Sequence, residues 1–190
     1  MLILEKIRPE TSIVTAAMTD VGKCESNPCL AYRTNTLPFF TITKYLSRTG
    51  GRIIQISTDY VFSGEVGKNG EYDKREPINV YGKSKMKAED IIISSGIDYT
   101  IIRTSGIFGA GESSGKVNFF LWVYRGLLNG KEISIVKDQY YSPTMNTNLA
   151  EAIAEIYDKG IGGIIHFSSM DRISRYDFAL LIAERFLTES

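Results

Sequence analysis

The chain predicts an α/β fold, a parallel sheet with helices on both faces. Short apolar runs rich in isoleucine and valine recur along its 190 residues, and longer amphipathic stretches separate them. The apolar runs are continuous rather than alternating. Strands of that kind are buried on both faces, which a parallel sheet with crossover helices requires. The length suits one domain with a sizeable core.

Residues 12–17 read as the first buried strand. Residues 27–47 read mostly as a helix, with Pro28 tolerated in its first turn and Pro38 marking a kink or break. Residues 52–57 form a second, isoleucine-rich strand. Residues 64–79 hold four glycines or prolines among many charges and read as a surface loop. A helix follows over 81–94 and a strand over 99–103. Then come a helix over 119–128, a short strand over 133–136 and a helix over 148–157. A strand over 164–167 and a helix over 176–186 close the chain. There is no repeat, linker or low-complexity tract.

Composition narrows the function. Lys+Arg and Asp+Glu are both 22, so the net charge is zero. Without a basic excess to neutralise phosphates, nucleic acid is excluded as the main partner. No apolar run reaches a membrane span and no signal-peptide pattern opens the chain, so a cytoplasmic protein with no membrane contact is expected. Cys24 and Cys29 would not share a helix face and read as reduced thiols. With His166 as the single histidine, neither a Ser-His-Asp hydrolase nor a histidine-rich metal site is expected. His166 reads as a strand histidine with a satisfied hydrogen bond.

Three residues suggest chemistry. Tyr81 and Lys85 are four apart on a helix and share a face. An ammonium near a phenol lowers the phenol's pKa from about 10 and makes it a usable general acid. Thr58 follows an apolar strand, and ligands of parallel sheets sit beyond the carboxyl ends of the strands. Its hydroxyl would hold a carbonyl beside Tyr81. These are the parts needed to protonate a carbonyl oxygen while hydride reaches its carbon. Other positions stay open. Arg103, at a strand end, either meets a substrate phosphate or pairs with an acidic neighbour. Asp138 and Gln139, followed by Tyr140 and Tyr141, either touch a base or sugar or form a plain loop. Trp122 and Tyr124 read as core or groove wall. The charged run over 83–90 reads as a solvated helix face apart from Lys85.

Matching stretches in order along the chain give these parts a context. They are Ala16 to Val21 with Lys23, Cys24 and Glu25; Asn35; Ser57 to Phe62; Pro77 to Lys85; Ile101 to Ser105; Asn118 and Phe119; Asp138 and Gln139; Pro143 and Thr144; and Asn148 to Ala150. In these the chain resembles the dTDP-4-dehydrorhamnose reductase family of extended short-chain dehydrogenase/reductases. The resemblance implies a Rossmann-like fold and NADPH-dependent reduction of a nucleotide-linked 4-keto sugar. It places Thr58, Tyr81 and Lys85 on the family's catalytic positions. Lys85 would also hold the nicotinamide ribose, and Tyr81 lies against the cofactor too. Ala16, Ala17, Met18 and Asn35 would line NADP, with Thr104 and Ser105 flanking the nicotinamide. Asp59, Tyr60, Asn118 and Gln139 would meet the nucleotide sugar. Residues 1–105 would be the remainder of the NADP-binding domain and 106–190 a small substrate-binding part, interleaved as one compact unit.

The chain departs from the family pattern in three places. Its opening resembles the helix before the family's fourth strand, so the phosphate-binding glycine loop is not among these residues. The cluster Gly106, Gly109 and Gly111 has the reverse spacing and reads as a substrate-side loop. NADPH binding by these 190 residues alone is therefore expected to be weak, and an exposed first strand favours a homodimer. Gly106 stands where many members carry tryptophan. Thr15 and Gly22 replace an asparagine and an aspartate. The regulatory β subunit of methionine adenosyltransferase resembles the same family, so a non-catalytic binding module is the alternative.

Overall fold

The computed structural model describes residues 2–109 and 117–188; Ala110 and Gly111 of the glycine cluster lie outside them. The elements run α1 (Leu2–Ile7), β1 (Thr11–Val14), α2 (Val21–Ser26), α3 (Pro28–Asn35), α4 (Leu37–Thr49) and β2 (Arg52–Thr58). They continue with α5 (Val80–Ser94), β3 (Asp98–Thr104), β4 (Ile107–Phe108), α6 (Phe119–Leu128), β5 (Tyr140–Tyr141) and β6 (Thr144–Met145). The last are α7 (Asn146–Asp158), β7 (Gly163–His166), β8 (Ile173–Ser174) and α8 (Arg175–Thr188).

The fold is a Rossmann-like parallel sheet with helices. Four strands lie in the order β1-β2-β3-β7, every pair parallel. Register places Ser12 beside Ile53, Ile54 beside Thr100 and Ile102 beside Ile165. Parallel neighbours need long crossovers, and here α2 to α4 lead from β1 to β2 and α5 leads from β2 to β3. The chain forms two compact units. The first comprises Met1–Thr104 and Gly160–His166; the second comprises Ser105–Lys159 and Phe167–Ser190.

In the first unit, α4 and α5 pack on the sheet through Phe39, Leu46, Ala88 and Ile92 against Ile53 and Ile101. Ile53 and Ile101 sit on the same side because strand side chains alternate in a shared register. In the second unit Val123, Ala179 and Ile182 form the core. Phe119, Phe120 and Phe178 pack around it.

Three sequence expectations change. The first strand ends at Val14, three residues early. Beyond it the backbone of Met18 bonds to the Asn35 side chain instead of a neighbouring strand. The helix over 27–47 is two helices, parted at Thr36 rather than at Pro38. Pro38 sits in the first turn of α4, where its missing N–H costs nothing. Residues 133–136 form no strand. Ile133 and Ile135 pack against the second unit's core, so their spacing reflects burial, not a ladder. The sequence reading also missed α2 and the two-residue strands, which are too short to carry a period.

Candidate active site

Thr58 ends β2, and the chain turns at once into a single 3-10 turn, Asp59–Val61. The Thr58 hydroxyl caps that turn by accepting from the Tyr60 N–H at 3.2 Å. It also donates to Asp59 Oδ1 at 3.1 Å. These bonds hold a buried hydroxyl at the carboxyl end of a central strand, where a parallel sheet opens to ligands.

Opposite this turn stands the start of α5. Asn79 caps the helix, its Oδ1 accepting from Gly82 N at 2.8 Å. Glu25 of α2 accepts from Val80 N at 2.6 Å, satisfying a second orphan donor. Gly82 permits the close approach: a Cβ there would lie 2.1 Å from the Tyr60 carbonyl oxygen. Tyr81 is therefore pressed against the turn, its ring meeting Tyr60 edge-on at 5.6 Å. Tyr60, Met18 and Val80 pack around Tyr81, Cys24 and Ala31.

Lys85 lies one helical turn further on and is 3% exposed. Its Nζ donates to the Ile56 carbonyl at 2.7 Å, two residues before Thr58. Thr58, Asp59, Tyr60, Tyr81 and Lys85 thus converge at the end of β2. The electrostatics differ from the sequence expectation that Lys85 lowers Tyr81. Burial pushes the Tyr81 hydroxyl up to about 12, with the neighbouring Thr58 hydroxyl pulling the other way and Asp59 adding to the rise. Burial also drives Lys85 down to about 8, against the opposing pull of Glu89. Two groups buried together each favour their neutral form.

Asn35 is buried and fully engaged. Its Oδ1 accepts from Met18 N at 2.7 Å. Its amide donates to Met18 O at 3.0 Å and to Ser84 Oγ at 2.9 Å. Both amide hydrogens are used inside the protein, so Asn35 clamps the segment carrying Ala16, Ala17 and Met18. Ala16 is exposed there and Ala17 is half-buried. Thr104 ends β3 and is buried.

In the second unit, Ser105 O accepts from Thr144 Oγ1 at 2.8 Å. Asn118 caps α6 through Leu121 N and donates to Gly109 O at 2.9 Å, so its side chain is structural. Gln139 is exposed, and its carbonyl accepts from Arg175 N at 2.9 Å. Gly106 has a φ of 48°, and a Cβ there would come within 2.3 Å of the Tyr141 ring. A tryptophan at this position has no room.

The charged run on α5 is not a solvated face throughout. Glu89 is 0% exposed. It accepts from Ser57 Oγ, from Arg103 through Nε at 3.1 Å and an outer nitrogen at 2.7 Å, and from Arg75 at 3.0 Å. Arg103 therefore pairs with an acidic neighbour. It also donates to Glu71 O at 2.9 Å and lies 3.3 Å from His166 Nε2. Its guanidinium sits over the Phe62 ring at 5.1 Å. Glu71 accepts from His166 N at 3.2 Å, so the loop over 64–79 is fastened to the sheet. The i, i+4, i+8 spacing of Tyr81, Lys85 and Glu89 is the signal that places Glu89 on the buried face. Cys24 and Cys29 are free thiols, and the Cys24 thiol donates to Met18 O. Among the described residues no cluster suits a metal ion and no helix is long and apolar enough to cross a membrane.

The profile of the RmlD substrate binding domain matches residues 1–190. The spore coat polysaccharide biosynthesis protein SpsK of Bacillus subtilis is 35% identical over 178 residues, 93% of this chain and 61% of that protein. A crystal structure of a hypothetical dTDP-4-dehydrorhamnose reductase from Sulfolobus tokodaii is 41% identical with a TM-score of 0.88. It covers 97% of this chain and 64% of that one. The dTDP-4-dehydrorhamnose reductase of Bacillus anthracis, solved in complex with NADP, is 31% identical with a TM-score of 0.91. It also covers 97% of this chain and 64% of its own. The chain thus spans under two thirds of the length of these relatives.

Proposed function

The chain belongs to the RmlD substrate binding domain family, and from that premise we propose that it carries the catalytic residues of an NADPH-dependent reductase of nucleotide-linked 4-keto sugars, acting in the manner of a dTDP-4-dehydrorhamnose reductase. The observation that carries this reading is the convergence of Thr58, Tyr81 and Lys85 at one strand end. NADPH, when bound, supplies hydride to a carbonyl carbon. Lys85 suits the cofactor's ribose: its ammonium has three hydrogens and one bond to a carbonyl, leaving two to donate. Ala16, Ala17 and Met18, held by Asn35, would line the cofactor, with Thr104 and Ser105 beside them. This makes Asn35 a positioning residue.

Tyr81 delivers the proton. Burial alone leaves the phenol protonated but a weak acid, held near 12; a charged Lys85 beside it would bring it toward the working range that general-acid catalysis needs. Thr58 orients the carbonyl oxygen, being already within hydrogen-bond reach of the Tyr81 hydroxyl. Lys85 compensates the phenolate left behind when it carries its proton. Asp59 and Tyr60, on the adjoining turn, would border the sugar.

The test is Tyr81→Phe in the protein that contains these residues, with NADPH and a dTDP-linked 4-keto-6-deoxy sugar. Turnover is expected to fall by about 10²- to 10⁴-fold with the fold unchanged. Unchanged turnover removes Tyr81 from the chemistry and the reductase reading with it.

A further inference from the structure

The face of α5 that carries Tyr81 and Lys85 also carries Glu89, one helical turn beyond Lys85. Glu89 is 0% exposed and Lys85 3% exposed. Both side chains grip the end of β2. Lys85 Nζ donates to the Ile56 carbonyl at 2.7 Å, and the next residue, Ser57, donates from its hydroxyl to Glu89 Oε1. Thr58 follows directly.

The sheet gives the carboxylate a fixed seat. Ser57 on β2, Arg103 on β3 and His166 on β7 are register partners across three parallel strands. Ser57 and Arg103 both bond Glu89, Arg103 through two nitrogens. Arg75 of the loop before α5 adds a donor at 3.0 Å and shares itself with Asp90. Glu89 is thus held beside Lys85 without being bonded to it, and no ion pair among the described residues includes Lys85. Between two buried groups a charge acts through space with little screening. Other ionisable groups meet this helix and its partners: Asp59 and Tyr60 on the 3-10 turn, Cys24 and Glu25 on α2, Tyr45 on α4, and Glu71 and His166 beyond Arg103. Of all these, Glu89 is the one that favours the Lys85 ammonium against burial.

We propose that Glu89 is a positioning residue for Lys85, the buried counter-charge that keeps it an ammonium while leaving its hydrogens free to donate. This rests on the reductase reading above, in which Lys85 must be charged to serve Tyr81. An acidic partner bonded directly to Lys85 would consume a hydrogen that the cofactor ribose needs. A carboxylate anchored by two arginines supplies the attraction and takes none.

The test follows the Lys85 side chain by NMR in the 190-residue chain with carbon-labelled lysine, titrated from neutral to alkaline pH, with Lys85→Met identifying the signal. The unmodified midpoint is expected at about 8. Glu89→Gln is expected to lower it by about one pH unit, since the opposite charge is lost and Arg103 is left facing Lys85. Glu89→Asp keeps the charge and is expected to leave the midpoint near that of the unmodified chain. Arg75→Met removes a cation that offsets Glu89 and is expected to raise the midpoint; it carries the test if Glu89→Gln fails to fold. In the protein that contains these residues, the alkaline limb of kcat/KM should move in step, with Glu89→Gln about fivefold slower near pH 8. An unchanged midpoint in folded Glu89→Gln overturns the proposal, as does an equal fall in Glu89→Asp or a midpoint in Arg75→Met that does not rise. Shifted midpoints with no turnover by the unmodified protein uphold the hold of Glu89 on Lys85 and remove the reductase reading.

Discussion

The two units solve the problem of burying polar groups in opposite ways. In the first, charge is enclosed and answered: Glu89 is fully buried and accepts from Ser57, Arg75 and Arg103. In the second, aromatic rings surround the polar atoms, and the Tyr141 hydroxyl and Arg175 Nε go unanswered. A satisfied network rigidifies a frame, whereas a buried polar atom left unbonded costs stability. Gln55 is the exception in the first unit, buried with neither end of its amide bonded.

Glu89→Leu gives the largest effect. It would strand the Arg103 guanidinium, which is 3% exposed, and release Arg75. Breaking a buried pair from one side costs about 3–5 kcal/mol. Urea unfolding should show that loss, and a loss below about 1 kcal/mol would mean the network contributes little.

Titration of the first unit comes next. Lys85 is depressed to about 8, so its neutral form is favoured in the folded state. Its contribution is present above the unfolded value near 10.5 and is lost as pH falls through 8. Tyr81 is raised to about 12, so its contribution is present below 10 and is lost as pH climbs through 12. Stability should rise between pH 8 and 10 and fall beyond about 10.5. Lys85→Met should flatten the rise, which unfolding midpoints across that range would reveal.

Asn35→Ala removes the partner of both polar groups of the Met18 backbone. It should cost about 1–3 kcal/mol and speed amide exchange over 15–20. Unaltered exchange would show that the segment is held by packing alone. Gln55→Leu deletes an unbonded buried amide and should raise stability by about 1 kcal/mol. A loss instead would indicate that an ordered water bonds the amide. Tyr141→Phe should move stability by less than about 1 kcal/mol, upward if at all, since the hydroxyl lost has no protein partner.

Much of the frame was legible in the sequence. The continuous apolar runs over 52–57 and 99–103 became the central strands because burial on both faces is written in composition. The spacing of Tyr81 and Lys85 and the hydroxyl ending β2 were equally plain, since a helix repeats every 3.6 residues and a strand ends at a known face. The break at Thr36 was not. It depends on the Thr36 hydroxyl meeting Ser84 O, a partner 48 residues away. The apolar spacing over 133–136 misled for a related reason: burial against Val123 and Ala179 yields the same pattern as a strand.

What the sequence determined by itself is therefore local: periodicity, the order of strands and helices, and which reactive residues share a helix face. Tertiary structure alone decided the rest. It enclosed Glu89 and turned Arg103 from a possible phosphate ligand into its partner. It used Asn35 as a clamp, reversed the direction of the Tyr81 shift and left the Tyr141 hydroxyl and the Arg175 Nε unbonded. The reason is that desolvation and hydrogen-bond satisfaction depend on every neighbour in space, and a sequence fixes only the neighbours along the chain.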